Sequence, residues 1–182
     1  MEHCAAQLDT FENLLTQQVL DVAWRYCYRL CRQREDAEDL LQDALAHGYN
    51  RIGQLKDPSA FKSWLMCIVR SQFLMNLRRR KVENLVHANS DEAILHIVDT
   101  STAGETNLEA LEITAALEQL PAGQREILEL FYLDELNLAE TAQVLGLSQG
   151  AVQQRLFRAR GALRRAVDRV RLHEQPRAYA SQ

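Results

Sequence analysis

Apolar residues along this chain recur mostly at three- and four-residue steps, the period of one helix face, and the chain is read as all-α. From about Leu8 to Cys31, Phe11, Leu14, Leu15, Val22, Tyr26 and Leu30 form such a stripe, across one helix or two. Asp9 and Glu12 have the spacing of a capping box at its start. A second helix is predicted from about Asp36 to Ile52. It turns Ala37, Leu40, Leu41, Ala44 and Leu45 inward and Glu38, Asp39, Gln42 and Asp43 outward. "GQLKDPS" is turn material, with Asp57 or Ser59 available to cap the next helix. That third helix, Ala60 to about Lys81, buries Phe61, Trp64, Leu65, Ile68 and Val69. The periodicity then lapses, and "DEAILHIV" within the gap suits either a short amphipathic helix or a partner-binding strand. It resumes at Leu108, where Leu111, Ala115 and Leu117 line one helix. Pro121 ends that helix and opens another, whose apolar positions are Ile127, Leu128 and Phe131. The chain therefore divides into a helical domain at 8–81, a linker at 82–107, a second helical domain at 108–172, and a tail at 173–182 expected to be disordered.

Composition narrows the class. Hydrophobic residues make up 47% of 182, enough for packed cores and too many for global disorder. No apolar run approaches membrane-spanning length, and "MEHCAAQLDT" lacks a secretory pattern. No membrane insertion is expected, and the protein is placed in the cytoplasm with reduced thiols. Cys27 and Cys31 share a helix face. Two buried small side chains are the simpler reading; a metal or redox site would need a second ligand pair that is not apparent. No Ser/His/Asp set, phosphate loop or metal quartet is present, and the five His are scattered, so neither an enzyme nor a cofactor or metal site is expected.

A net charge of −4 argues against nucleic acid until its distribution is read. Lys62 to Lys81 is basic with no acid. Val82 to Gln124 has no Lys or Arg but carries Glu83, Asp91, Glu92, Asp99, Glu105, Glu109, Glu112 and Glu118. Arg155 to Arg171 holds seven Arg opposed only by Asp168. The layout is basic, acidic, basic. The run Arg78 to Lys81 has a simpler explanation too, as cations at a helix C-terminus complementing the macrodipole.

The stretch from Leu138 to Arg160 has the pattern of a helix-turn-helix. Leu138 to Leu145 is a short helix, Gly146 suits a positive φ, and Ser148 is a good N-cap. Ala142 is small where two helices must cross, and Val152 and Leu156 point to the core. In this motif the second helix enters the major groove. Gln149, Gln153, Gln154, Phe157 and Arg158 fall on its outer part. Gln pairs with adenine, Arg with guanine, and an aromatic ring touches a thymine methyl. Arg155, Arg160, Arg164 and Arg165 extend a phosphate-binding surface. The competing reading is a solvated face on an ordinary helical hairpin.

Four stretches in order, "DAEDLLQDAL", "AFKSWLMCIVRSQFLMNLRRRK", "LEQLPAGQREILELFYL" and the helix-turn-helix, resemble the extracytoplasmic-function group of bacterial sigma-70 family sigma factors over residues 8–171. The resemblance implies two helical domains. Region 2 would bind a coiled coil on the β′ subunit of core RNA polymerase and open the −10 element. Region 4 would bind the β flap and read the −35 element of promoter DNA. The acidic linker resembles the segment threaded towards the RNA exit path. "DAED" matches the polymerase-binding helix, with Asp39 and Gln42 as central contacts and Asp36 and Glu38 beside them. "KDPSAF" matches the loop that captures a flipped −10 base, with Lys56, Phe61 and Lys62 as local candidates and Phe61 and Trp64 also read as core. Arg70, Arg78, Arg79 and Arg80 would hold phosphates. Many members have Asn where this chain has Ser71 and Asp where it has Met75. They commonly show Thr-Val-Lys-Ser where it has Ala151, Val152, Gln153 and Gln154. The family also implies an anti-sigma factor as a partner.

Two helical turns of promoter separate such domains by about 70 Å. About 26 linker residues span roughly 28 Å as a free coil and about 86 Å fully extended, so the linker must be held stretched. Sequence-specific binding is therefore expected to need the core polymerase. A stand-alone helix-turn-helix regulator is the first alternative, but it leaves "DAEDLLQ" and the acidic linker without a role. A sigma mimic that binds an anti-sigma factor is the second, and the retained basic helix argues against it.

Overall fold

The computed structural model describes the backbone of residues 10–86 and 108–174, and the side chains of 10–80 and 108–172. It is all-α, with no strand among the described residues. Contacts divide the chain into two compact units, residues 1–100 and 101–182.

In the first unit α1, described over 10–14, is followed by α2 (Gln17–Cys31), α3 (Arg34–Arg51) and α4 (Phe61–Val86). Asp9 of the expected capping box lies outside the described residues. The apolar stripe belongs to two helices, because Thr16 starts a new one: its hydroxyl accepts from Val19 N–H. Arg32 ends α2 with a left-handed φ of 64°. Two 3₁₀ turns, Ile52–Gln54 and Pro58–Ala60, then redirect the chain. Asp57 rather than Ser59 is the cap, accepting from Ser59 N–H at 2.9 Å and from its hydroxyl at 2.8 Å. The hydroxyl bond, reinforced by the N–H bond, holds the Asp57 carboxyl below its ordinary range.

Phe11, Ala23, Ile52, Phe61 and Leu65 form the core between these helices, with Trp64, Leu41 and Leu45 packed at its edge. Phe11 meets Phe61 edge-on at 5.5 Å and Tyr49 at 6.0 Å. Gly48 makes this possible. A Cβ there would lie 3.3 Å from the Phe11 ring and 3.6 Å from both Leu65 and Trp64.

The second unit comprises α5 (Leu108–Glu118), α6 (Ala122–Leu128), a π turn (Glu129–Leu133), α7 (Leu138–Leu145) and α8 (Gln149–Glu174). Its core is Ala116, Leu120, Ile127, Leu128, Ala142, Val152, Leu156, Ala159 and Ala166. Leu111 was expected inside and is exposed. The inward side of α5 runs through Ala116 and reaches Leu120 beyond its end. Arg171 donates to Glu112 at 2.8 Å and Arg169 to Gln119 at 3.4 Å, lacing α5 and the residue just past its end to α8.

Helix α4 continues to Val86, past the expected linker boundary at 82. The rest of that linker, with "DEAILHIV", and residues 175–182 of the expected tail lie outside the described residues; α8 itself reaches Glu174.

Candidate nucleic-acid interface

Helix α7 is closed tightly at both ends. Asn137 accepts from Ala139 and Glu140 N–H at 2.9 and 3.0 Å, while Glu140 accepts from Asn137 N–H at 2.8 Å. This reciprocal box satisfies donors that the helix cannot. At the other end Gly146 adopts φ 65°. Leu147 N–H reaches Ala142 O at 2.9 Å and Gly146 N–H reaches Gln143 O at 3.2 Å. Those two bonds make a Schellman turn, and its left-handed residue is Gly because a Cβ is disfavoured there. Ser148 then caps α8, accepting from Ala151 N–H at 3.2 Å. Val152 and Leu156 are buried, as the motif requires.

The opposite side of α8 is open. Gln149, Gln153, Gln154, Arg155, Phe157, Arg158 and Arg160 are all exposed. Gln153, Gln154, Phe157 and Arg158 line a shallow hollow on it. Phe157 is 78% exposed. A ring this open adds little to the core and stands free for contact from outside. The sequence pattern gave no sign of what holds Arg160. Its guanidinium lies 5.6 Å over the Tyr132 ring and 6.0 Å over the Phe131 ring. The π turn makes this contact possible, drawing Leu130 into the core while Tyr132 and Leu133 face outward. Two residues past the turn lies Glu135, a non-Gly residue with φ 53°.

In the first unit Glu38, Asp39 and Gln42 share the exposed face of α3. Arg34 pairs with Glu38 at 2.8 Å, four residues along the same helix. Asp36 is different, because it points to α4. Arg80 donates to its two carboxylate oxygens at 2.8 and 3.4 Å. One expected polymerase contact and one expected phosphate contact are thus joined to each other. Cys31 Sγ sits 3.6 Å from Asp36 O beneath this pair.

On α4, Ser71, Arg78 and Arg79 are exposed, Lys62 and Arg70 half-buried, and Lys56 is exposed on the preceding loop. Phe61 departs from its expected role as a base-capturing residue. It is 2% exposed, wedged between Phe11 and Trp64, and has no free face on which a base could stack. The macrodipole explanation for Arg78 to Lys81 also fails. The helix runs on to Val86, and its last turn holds no basic residue.

The three described thiols are hard to ionise. Burial pushes Cys27 up to about 12, and Cys31 and Cys67 to about 11. Cys27 and Cys31 are free thiols.

Two helical units, the second carrying a capped helix-turn-helix, have the architecture of a DNA-binding transcription factor. The Sigma-70 region 2 model matches residues 15–83, and the Sigma-70 region 4 model matches residues 110–163. The chain is 28% identical over 153 residues to the ECF RNA polymerase sigma factor SigM of Bacillus subtilis, covering 84% of this chain and 93% of that one. It is 31% identical over 148 residues to the ECF sigma factor SigL of Mycobacterium tuberculosis, covering 79% and 81%. Among solved structures it is similar to the sigma factor RpoE of Bartonella quintana, in complex with the anti-sigma factor NepR. That match has a TM-score of 0.70 and 27% identity, over 82% of this chain and 92% of that one. The chain belongs to the extracytoplasmic-function group of sigma-70 factors, and it is an RNA polymerase sigma factor that directs transcription initiation.

Proposed function

We propose a division of labour among three surfaces. The exposed face of α3, with Glu38, Asp39 and Gln42, docks on the β′ coiled coil of core RNA polymerase. Helix α4 and the loop before it hold the −10 strand through Lys56, Lys62, Arg70, Ser71, Arg78 and Arg79. Helix α8 reads the −35 element through Gln149, Gln153, Gln154, Phe157 and Arg158, with Arg155 and Arg160 on phosphates. Asp36 and Arg80 tie α3 to α4 and leave both contact sets. The protein has no catalysis of its own and works in the cytoplasm. No described helix is long and apolar enough to cross a membrane. A protein inhibitor is part of this reading, because the Bartonella relative was solved with its anti-sigma factor.

The observation that carries the proposal is the open, polar and aromatic face of α8 beside a fully capped turn. Co-elution with core polymerase on gel filtration tests it. A one-to-one complex is expected, lost on combining Asp39→Ala with Gln42→Ala. Gln153→Ala and Arg158→Ala should leave the complex intact and shift −35 preference by about 1–3 kcal/mol per bidentate contact. Unchanged promoter choice in both would remove these residues from the site.

A further inference from the structure

The outward stripe of α4 carries more than charge. At 3.6 residues per turn, Ser71, Met75 and Arg78 lie within about 60° of one another around the axis, and Arg79 borders them. All four are exposed or open to solvent, while Leu65, Val69 and Gln72 take the buried side. Met75 is 56% exposed. Arg80 is on the far side of this stripe, engaged with Asp36.

An open thioether flanked by arginines has no phosphate to pair with. It matches the other part of a single strand, the π face of an unpaired base. Methionine sulfur contacts aromatic rings favourably, and Met is among the apolar side chains that proteins insert at opened base steps. Guanidinium groups on either side would fix the neighbouring phosphates and so set which base meets the sulfur. A carboxylate here would repel those phosphates, whereas a thioether does not. We propose that Met75 packs on one unpaired base of the −10 strand and helps to select it. The proposal rests on the reading of α4 as the −10 surface.

The test uses the full chain reconstituted with core polymerase. The probe is a forked promoter with an unpaired −10 strand, chosen by that holoenzyme from a pool randomised at both elements. A series of forks carries one abasic site at each −10 position. Met75→Ala should weaken binding to the intact fork about three- to tenfold, and Met75→Leu much less. The loss should vanish at the one abasic position where the covered base is already missing. Equal weakening at every abasic position, or no weakening at all, overturns the role of Met75. Failure of the unmutated chain to form a holoenzyme or to retain any fork overturns the parent reading, and this inference with it.

Discussion

Breaking the link between Asp36 and Arg80 should loosen α4 from α3 by a measurable and salt-sensitive amount. The contact is two-pronged, at 2.8 and 3.4 Å, and joins positions 44 residues apart. The Arg80 side chain is 60% exposed and the Asp36 side chain 31%, so solvent screens the pair. Exposed pairs contribute about 0.2–1 kcal/mol, and the two-point geometry places this one near the top of that range. Asp36 also sits in the first turn of α3, where a carboxylate gains about 0.3–1 kcal/mol from the helix dipole. Asp36→Ala should therefore destabilise by about 1–2 kcal/mol, and Arg80→Ala by less. The double-mutant cycle isolates the pair, with an expected coupling of about 0.5–1 kcal/mol. Both tryptophans, Trp24 and Trp64, lie in the first unit, so their fluorescence during urea unfolding follows that unit. Raising NaCl to about 1 M should remove most of the coupling. A coupling below about 0.2 kcal/mol at low salt, or one indifferent to salt, refutes the reasoning.

Glu135→Gly should stabilise the second unit by about 0.5–1 kcal/mol, because relief of a left-handed side chain outweighs the added freedom of Gly in the unfolded chain; circular dichroism of thermal unfolding checks it. Gly48→Val should cost about 1–3 kcal/mol in tryptophan-monitored unfolding, since even its Cβ meets the Phe11 ring at 3.3 Å. The raised thiol of Cys27 predicts a one-sided pH dependence. Its folded pKa of about 12 lies above the unfolded 9.0, so the unfolded chain loses its proton first. Stability should hold below about pH 9 and then fall, each of the raised thiols Cys27, Cys31 and Cys67 contributing up to about 1.4 kcal/mol per pH unit, so that Cys27→Ala should make the slope shallower by about a third. A flat urea midpoint from about pH 8 to about pH 10.5 would contradict it.

Much of this was legible in the chain because local rules agreed with the fold. Gly146 and Ser148 punctuate a turn wherever they occur in that spacing, and Val152 and Leu156 follow from helical period alone. The face of α3 is equally plain, since Ala37, Leu40 and Ala44 fix which side is inward. What escaped depends on distance or on departures from period. Asp36 and Arg80 look like members of two separate charge clusters until folding brings them together. The π turn shifts the register after Leu128, and helical period alone gives no sign that Tyr132 and Leu133 face outward. Leu111 was misplaced because α5 is apolar on several sides, and its inward side is decided by α8. Asn137 and Glu140 could have been found, as their spacing is that of the capping box.

The two rings beneath Arg160 bear on how long a complex lasts. A free arginine carries about 2 kcal/mol of rotamer entropy, most of which it surrenders on gripping a phosphate. Over Phe131 and Tyr132 part of that freedom is already gone before DNA arrives. On the proposed assignment of Arg160 to a phosphate, the guanidinium is a preorganised contact, and its benefit falls on residence time more than on encounter. On that proposal, the ring pair acts as a brake on promoter release whose strength a single aromatic substitution would adjust.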